Sequence, residues 1–196
     1  MKKKEPTIHR TTKETDIRLT LDFSNPVSLT INTGVPFFNH LLQAMAFHGN
    51  FGLNIDATGD IQVDPHHLVE DTGIVLGEAL HKTLEESGPV ARFGYAVIPM
   101  DDSLSEVAVD ISERPCLVFN PAFPQPFSGN FDMALLVEFL SALVNRARIT
   151  LHATCRYGKN SHHMAESLFK ALGKAIAAAY TPVKNRPQAM STKGSL

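Results

Sequence analysis

Two runs in the sequence carry cation-binding residue types at a spacing a helix can use: His66-His67-Leu68-Val69-Glu70 and His162-His163-Met164-Ala165-Glu166. In a helix, residues i and i+4 share a face, while i+1 is turned away by about 100°. His66 with Glu70 therefore offers one imidazole and one carboxylate to a single ion, and His162 with Glu166 offers the same pair to another. His67 and His163 point elsewhere, so each doublet can bridge two sites. Imidazole plus carboxylate suits manganese, iron or zinc, and neither Cys116 nor Cys155 is spaced as a soft-metal clip. A lone match of this kind is more often a capped or solvated histidine than a ligand. Two copies at corresponding places are what make a two-metal centre the reading.

His40 adds to the set, because an imidazole inside the apolar run Phe37-Phe38-Asn39-His40-Leu41-Leu42 needs a partner. Helix geometry then assigns His66, Glu70, His40 and the crossed-over His163 to one ion. The other takes His162, Glu166, His67 and Glu138, with His152 as the rival for that last place. For His152 an ordinary strand histidine bonded to backbone is the competing account. His9 and His81 have no supporting pattern and read as surface residues.

The elements that must hold these groups come in duplicate. The two doublets lie 96 residues apart, and at that offset Ile55-Asp56-Ala57-Thr58 falls on Leu151-His152-Ala153-Thr154, Glu70 on Glu166 and Leu76-Gly77 on Leu172-Gly173. An offset of 98 lays Phe37 to Met45 over Leu135 to Leu143 and sets His40 opposite Glu138. Leu19-Thr20-Leu21-Asp22-Phe23-Ser24 resembles Val107-Ala108-Val109-Asp110-Ile111-Ser112. Internal repetition of this order implies a duplicated unit of roughly ninety residues, the halves meeting near Gly88-Pro89.

Each half opens on a strand with alternating apolar positions (Ile17, Leu19, Leu21, Phe23; Val107, Val109, Ile111). A helix follows (about Phe37 to Phe47; Met133 to Arg146), then a strand (Leu53 to Ala57; Arg148 to Ala153), then a second helix beginning at the doublet. Pro65 suits the first turn of one such helix, Ser161 can cap the other, and Gly88 and Pro182 mark their far ends. The expected fold is α+β and internally duplicated: two small mixed sheets, each covered by two helices, with the helices packed together between the sheets. Residues 1–88 form the first half, 89–182 the second, and 183–196 an irregular tail.

With 43% hydrophobic and 19% charged residues and a net charge of -2, the chain has the balance of a soluble globular protein. No basic field draws it to nucleic acid, and no apolar run approaches the roughly 20 residues that cross a bilayer. Lys2 to Lys4 are not followed by an apolar stretch, so they do not start a signal peptide. The two cysteines read as structural thiols in a reducing cytoplasm.

The motifs that contain these residues resemble the imidazoleglycerol-phosphate dehydratase family from about Arg10 to Gly194. They are Gly34-Val35-Pro36-Phe37-Phe38-Asn39-His40, Asp64-Pro65-His66-His67-Leu68-Val69-Glu70-Asp71, Ile98-Pro99-Met100-Asp101-Asp102, Asn160-Ser161-His162-His163-Met164-Ala165-Glu166 and Ser191-Thr192-Lys193-Gly194. The chain departs from the family's usual pattern at Asn39, often Asp, at Glu138, often His, and around Gln43.

The resemblance implies a hydro-lyase of histidine biosynthesis that dehydrates imidazole glycerol phosphate to imidazole acetol phosphate, with two manganese ions per active site. It also implies a homo-oligomeric shell of 24 subunits, with active sites between neighbours. Metals on the ring's two nitrogens would favour the imidazolate, which expels the adjoining hydroxyl; a carboxylate then takes the acidified proton of the next carbon. Glu14 and Glu166 are the two candidates for that base. Phosphate and substrate contacts implied by the resemblance are Arg92, Arg114, Lys170, Ser191, Thr192 and Lys193, with His48 near the substrate's hydroxyls and Glu14 at the substrate. A dimetal hydrolase or a non-catalytic metal-binding protein would use the same ligand types, but neither accounts for the arginines and the tail.

Overall fold

Alternation of apolar and polar side chains builds two matching sheets in the computed structural model, which describes residues 6–183. The first joins β1 (Thr7–Thr11), β2 (Thr15–Asp22), β3 (Leu29–Asn32) and β4 (Gly52–Gly59) in the order β1-β2-β4-β3. The second joins β5 (Phe93–Met100), β6 (Ser103–Asp110), β7 (Cys116–Phe119) and β10 (Thr150–Tyr157) in the order β5-β6-β10-β7. Both are mixed in the same way, since β3 runs parallel to β4 and β7 parallel to β10 while the other pairs are antiparallel. A small hairpin, β8 (Phe127–Ser128) with β9 (Phe131–Asp132), belongs to the second half alone.

The opening strands correspond two residues further along than their sequence likeness indicates. Leu19 pairs with Ile55 and Val109 with Leu151, so Leu19 matches Val109 rather than Val107. A slip of two keeps every side chain on its own face, which is why the alternating pattern alone could not detect it.

Four helices complete the fold: α1 (Pro36–Gly49), α2 (His66–Ser87), α3 (Leu135–Ala147) and α4 (Ser161–Ala179). In α1 the apolar positions Phe38, Leu41, Leu42, Met45 and Ala46 recur at helical spacing and are buried. Phe38, Leu41, Leu42 and Met45, withdrawn from water, each contribute about 1.5–3 kcal/mol. Pro36 sits in the first turn of α1, and left-handed residues at equivalent places, Asn50 and Arg148, end α1 and α3. The start of α4 is capped by Asn160, whose side chain accepts from the His162 N–H, and not by Ser161. Ser161 is engaged elsewhere. Pro65 precedes α2 instead of entering it, and Asp64 accepts from the His66 N–H.

The helices fill the space between the sheets, and they pair across the two halves. α1 packs on α4, and α2 packs on α3. The close approaches are made by glycines at equivalent positions: a Cβ on Gly77 would lie 2.6 Å from the Leu143 carbonyl oxygen, and one on Gly173 would lie 1.9 Å from that of Met45. Both lie well inside van der Waals contact, so only glycine permits these crossings. No helix among the described residues is long and apolar enough to cross a membrane.

Candidate metal centre

Helix pairing decides which donors meet. His40 on α1 faces α4, with its Nε2 3.1 Å from Glu166 Oε2; His162 Nε2 lies 3.3 Å from the same oxygen. The donor atoms of His40, His162 and Glu166 all fall within 4.8 Å of one another. Donors around one ion at bonds near 2.1 Å stand roughly 3–4 Å apart, so the trio has the dimensions of a cation site. His40 Nε2 is shielded from solvent and has no hydrogen-bond partner of proper geometry among the described residues. Within one chain His40 therefore joins His162 and Glu166, not His66 and Glu70 as helix spacing alone had grouped it.

Glu166 is 10% exposed, and its other oxygen accepts from Lys170 Nζ at 2.7 Å. Burial pushes its carboxyl up, but Lys170 and His40 outweigh this and hold it at about 2, so the carboxylate is ionised. His48, on the last turn of α1, lies near Lys170 and Lys174; burial first, then those two charges, lowers its imidazole below the usual range.

His66 and Glu70 form a looser pair, with Nε2 and Oε2 3.9 Å apart and both side chains more than 40% exposed. Glu138 stands on α3, which packs against α2. Its neighbour Phe139 presents its carbonyl to Gly73, less than one turn beyond Glu70. Glu138 is half-buried, at the edge of the apolar stripe of Leu135, Leu136, Phe139, Leu140 and Leu143 and not within it. His152 lies on the outer face of its sheet, exposed, while its neighbours Leu151 and Ala153 point inward toward the helices.

The second histidine of each doublet is turned away from the first, with ring planes 89° apart in His66–His67 and 86° in His162–His163. Each meets carboxylates at the end of its own sheet. His67 Nδ1 is 3.0 Å from Asp60 and 3.8 Å from Glu14; His163 Nδ1 is 2.6 Å from Asp102, with Asp101 3.6 Å from Nε2. The bond to Asp60 raises the His67 imidazole, and the bond from His163, followed by the Lys159 N–H, holds Asp102 at about 2. A carboxylate at Nδ1 fixes the ring and leaves Nε2 to a metal. Asp60 and Asp102 carry no role legible from spacing alone, although a ligating histidine calls for such a partner and Asp102 belongs to the Ile98–Asp102 motif.

The phosphate candidates do not converge in one chain. Lys170 lies beside Glu166 and its Nζ is 3.4 Å from Met100 Sδ. Arg92 stands at the opposite end of β5, its backbone N–H bonded to Ala179, about 20 Å along α4 from Glu166. Its guanidinium donates to both oxygens of Asp110 at 2.7 and 3.1 Å. Arg114 is exposed at that same end, where its carbonyl accepts from Ser112 and Thr150. Ser191, Thr192 and Lys193 lie outside the described residues.

A family model described as imidazoleglycerol-phosphate dehydratase matches residues 33–176. Curated proteins of that name from Anaeromyxobacter dehalogenans and Geobacter sulfurreducens are each 47% identical, the alignments covering 96% and 98% of this chain and 90% and 99% of theirs. The crystal structure of imidazoleglycerol-phosphate dehydratase from Staphylococcus aureus superposes with a TM-score of 0.84 at 38% identity, covering 92% of this chain and all of that one. The Pyrococcus furiosus structure gives 0.83 at 38% identity, covering 96% of this chain and 100% of that chain. These matches, with the site's geometry, make the protein a hydro-lyase, an enzyme that removes water from a carbon skeleton. The chain belongs to the imidazoleglycerol-phosphate dehydratase family.

Proposed function

We propose that the protein dehydrates imidazole glycerol phosphate to imidazole acetol phosphate at a centre of two manganese ions. The observation that carries this reading is the convergence of His40, His162 and Glu166 within 4.8 Å, together with the same histidine–glutamate spacing on α2 in the other half. The ions would be held by His40, His162 and Glu166 on one side and His66, Glu70 and Glu138 on the other, with His67 and His163 completing them. When bound, they supply Lewis acidity at the ring nitrogens, which lowers the barrier to losing the hydroxyl on the adjoining carbon.

The chain's own residues do the rest. Glu166 serves as a ligand rather than as a base: its carboxyl is held at about 2 and both its oxygens already face cations or imidazoles. Glu14, 54% exposed on the β1–β2 turn and 3.8 Å from His67, is the carboxylate left to take the proton from the carbon next to the departing hydroxyl. The C–H electron pair then becomes the enol double bond, and tautomerisation yields the ketone. Lys170, Lys193, Ser191 and Thr192 would bind the phosphate. Arg92 and Arg114 stand too far from Lys170 to join it within one chain, so they would serve a neighbouring subunit's site. Shared sites of that kind support a homo-oligomer, read here as 24 subunits, working in the cytoplasm.

Incubating manganese-loaded protein with imidazole glycerol phosphate should yield an enolisable ketone; unchanged substrate would overturn the reading. Chelation should also break the large assembly, which light scattering would detect as a fall in mass. This outcome is expected if the ligands of each ion come from more than one subunit, and an intact, metal-free shell would overturn that sharing. Lys193→Ala should raise the Michaelis constant and leave manganese content unchanged.

A further inference from the structure

The two halves differ most in one connection. Residues 33–35 join β3 to α1, whereas residues 120–134 join β7 to α3 and include the β8–β9 hairpin. This added length is tightly tied down. Gln125 N–H donates to Ser161 Oγ at 2.8 Å, Ser161 Oγ donates to the Gln125 carbonyl at 2.9 Å, and Ser161 N–H donates to Gln125 Oε1 at 2.8 Å. Gln125 Nε2 donates to the Lys159 carbonyl at 3.1 Å. Ser161, 1% exposed, is the residue immediately before His162. The clamp therefore fixes the start of α4.

The hairpin is fixed at its other end by aromatic packing. Phe131 is 2% exposed and lies 6.1 Å from Phe38 and 5.5 Å from Phe37, ring centre to ring centre. Gly129, at φ +58°, supplies the positive φ that the first position of a two-residue hairpin turn requires. Together these features bring Ser128 Oγ to 3.4 Å from His162 Nδ1, while Phe37 covers the same ring at 5.0 Å. A cavity of about 680 Å³ opens between the hairpin and the start of α1, with His40 and His162 in its wall. Among the described residues, no hydroxyl stands at Nδ1 of His66.

A hydroxyl accepting from Nδ1–H keeps the proton on that nitrogen and leaves Nε2 as the donor to a metal. In His162 it is Nε2 that faces Glu166. We propose that residues 120–134 are a positioning device that acts through Ser128 on His162, so that the His40–His162–Glu166 group binds manganese before, and more tightly than, the His66–Glu70 group. This rests on the two-ion reading above. Ser128 is a positioning residue, and its effect is on metal affinity.

The test is a manganese titration of the metal-free, full-length protein, with the free ion followed by its electron paramagnetic resonance signal. The parent should bind in two steps separated by at least about ten-fold, and Ser128→Ala should weaken the tighter step by about 10–100-fold while leaving the weaker step in place. Ser128→Thr, which keeps the hydroxyl, should retain the tighter step, and His66→Ala should abolish only the weaker one. Equal uptake at both sites, or a Ser128→Ala protein whose tighter step is unmoved, overturns the inference. Turnover separates this from the reaction itself. Equal uptake with ketone formation overturns only the inference, and stepwise uptake without ketone upholds it and overturns the reaction. No uptake at all overturns both.

Discussion

Glu70 in the first half stands 3.9 Å from His66 with 46% of its side chain exposed, whereas Glu166 in the second stands 3.3 Å from His162 with 10% exposed and a lysine on its second oxygen. The residue after each glutamate differs in the same sense. Asp71 accepts from Arg10 at 3.0 Å and from Thr15 at 2.5 Å, tying α2 to its sheet through a charge. Ser167, its equivalent, meets Ser105 at 2.6 Å, hydroxyl to hydroxyl. Helix periodicity has kept the donor residues in place through the duplication. What surrounds them was free to diverge, and the strength of each site lies in those surroundings.

The largest effect that can test this comparison is at the glycine crossings. Gly173→Ala should destabilise by more than about 3 kcal/mol, because two backbones must separate, while Gly77→Ala should lose about 1–3 kcal/mol. The clearances of 1.9 and 2.6 Å set that order. Urea melts of both variants would check it, and equal losses would mean that the two helix crossings are equally tolerant.

Next in size is the contrast between the carboxylates in metal-free protein. The Glu166 carboxyl is held at about 2, below its ordinary 4.5, so its contribution is fully present above pH 4.5 and is lost as pH falls toward 2. Glu166→Gln should therefore cost roughly 3 kcal/mol near neutrality, with the difference from the parent shrinking in acid. Glu70→Gln, at an exposed pair, should change stability by no more than about 0.5 kcal/mol at any pH. Urea melts between pH 3 and pH 7 would separate the two.

A finer test concerns the ligand opposite His40 in the duplication. Glu138→Ala should lower manganese content by about one ion per chain, Glu138→His should restore it, and His152→Ala should leave it unchanged. Elemental analysis of the purified variants decides this. Loss on His152→Ala instead would move the ligand to the outer face of the second sheet.

The helices and both doublets were legible in the sequence because apolar positions at 3.6-residue spacing identify a packed helix. Edge strands were not: β1 (Thr-Ile-His-Arg-Thr) is short and mostly polar, and β3 (Leu-Thr-Ile-Asn) and β7 have only four residues each. The segment after β7 carries Pro121, Pro124 and Pro126, which hide a hairpin among loop signals. Which helix faces which could not be read either. Amphipathic stripes show that a surface is covered, but not by what, and for that reason His40 was grouped with His66 and Glu70, whereas within one chain it lies against His162 and Glu166. Glu138 sits about 100° from Phe139 on α3, so it reaches the edge of the apolar stripe and is half-buried. Asp60 and Asp102 sit at strand ends; Asp102 belongs to the Ile98–Asp102 motif, but neither spacing nor periodicity pairs it with His163 or Asp60 with His67.

The pairing of α1 with α4 and of α2 with α3 also governs how the chain can be made. When residue 88 leaves the ribosome, the first sheet and its two helices exist as sequence, but the surfaces of α1 and α2 meant for α4 and α3 have nothing to cover them. At about 5–20 residues per second, the wait for α4 is on the order of ten seconds. During that interval the nascent half is an exposed apolar layer, the kind of surface chaperones hold. Folding is thus deferred until the second half is made and supplies the missing side of the first one's core.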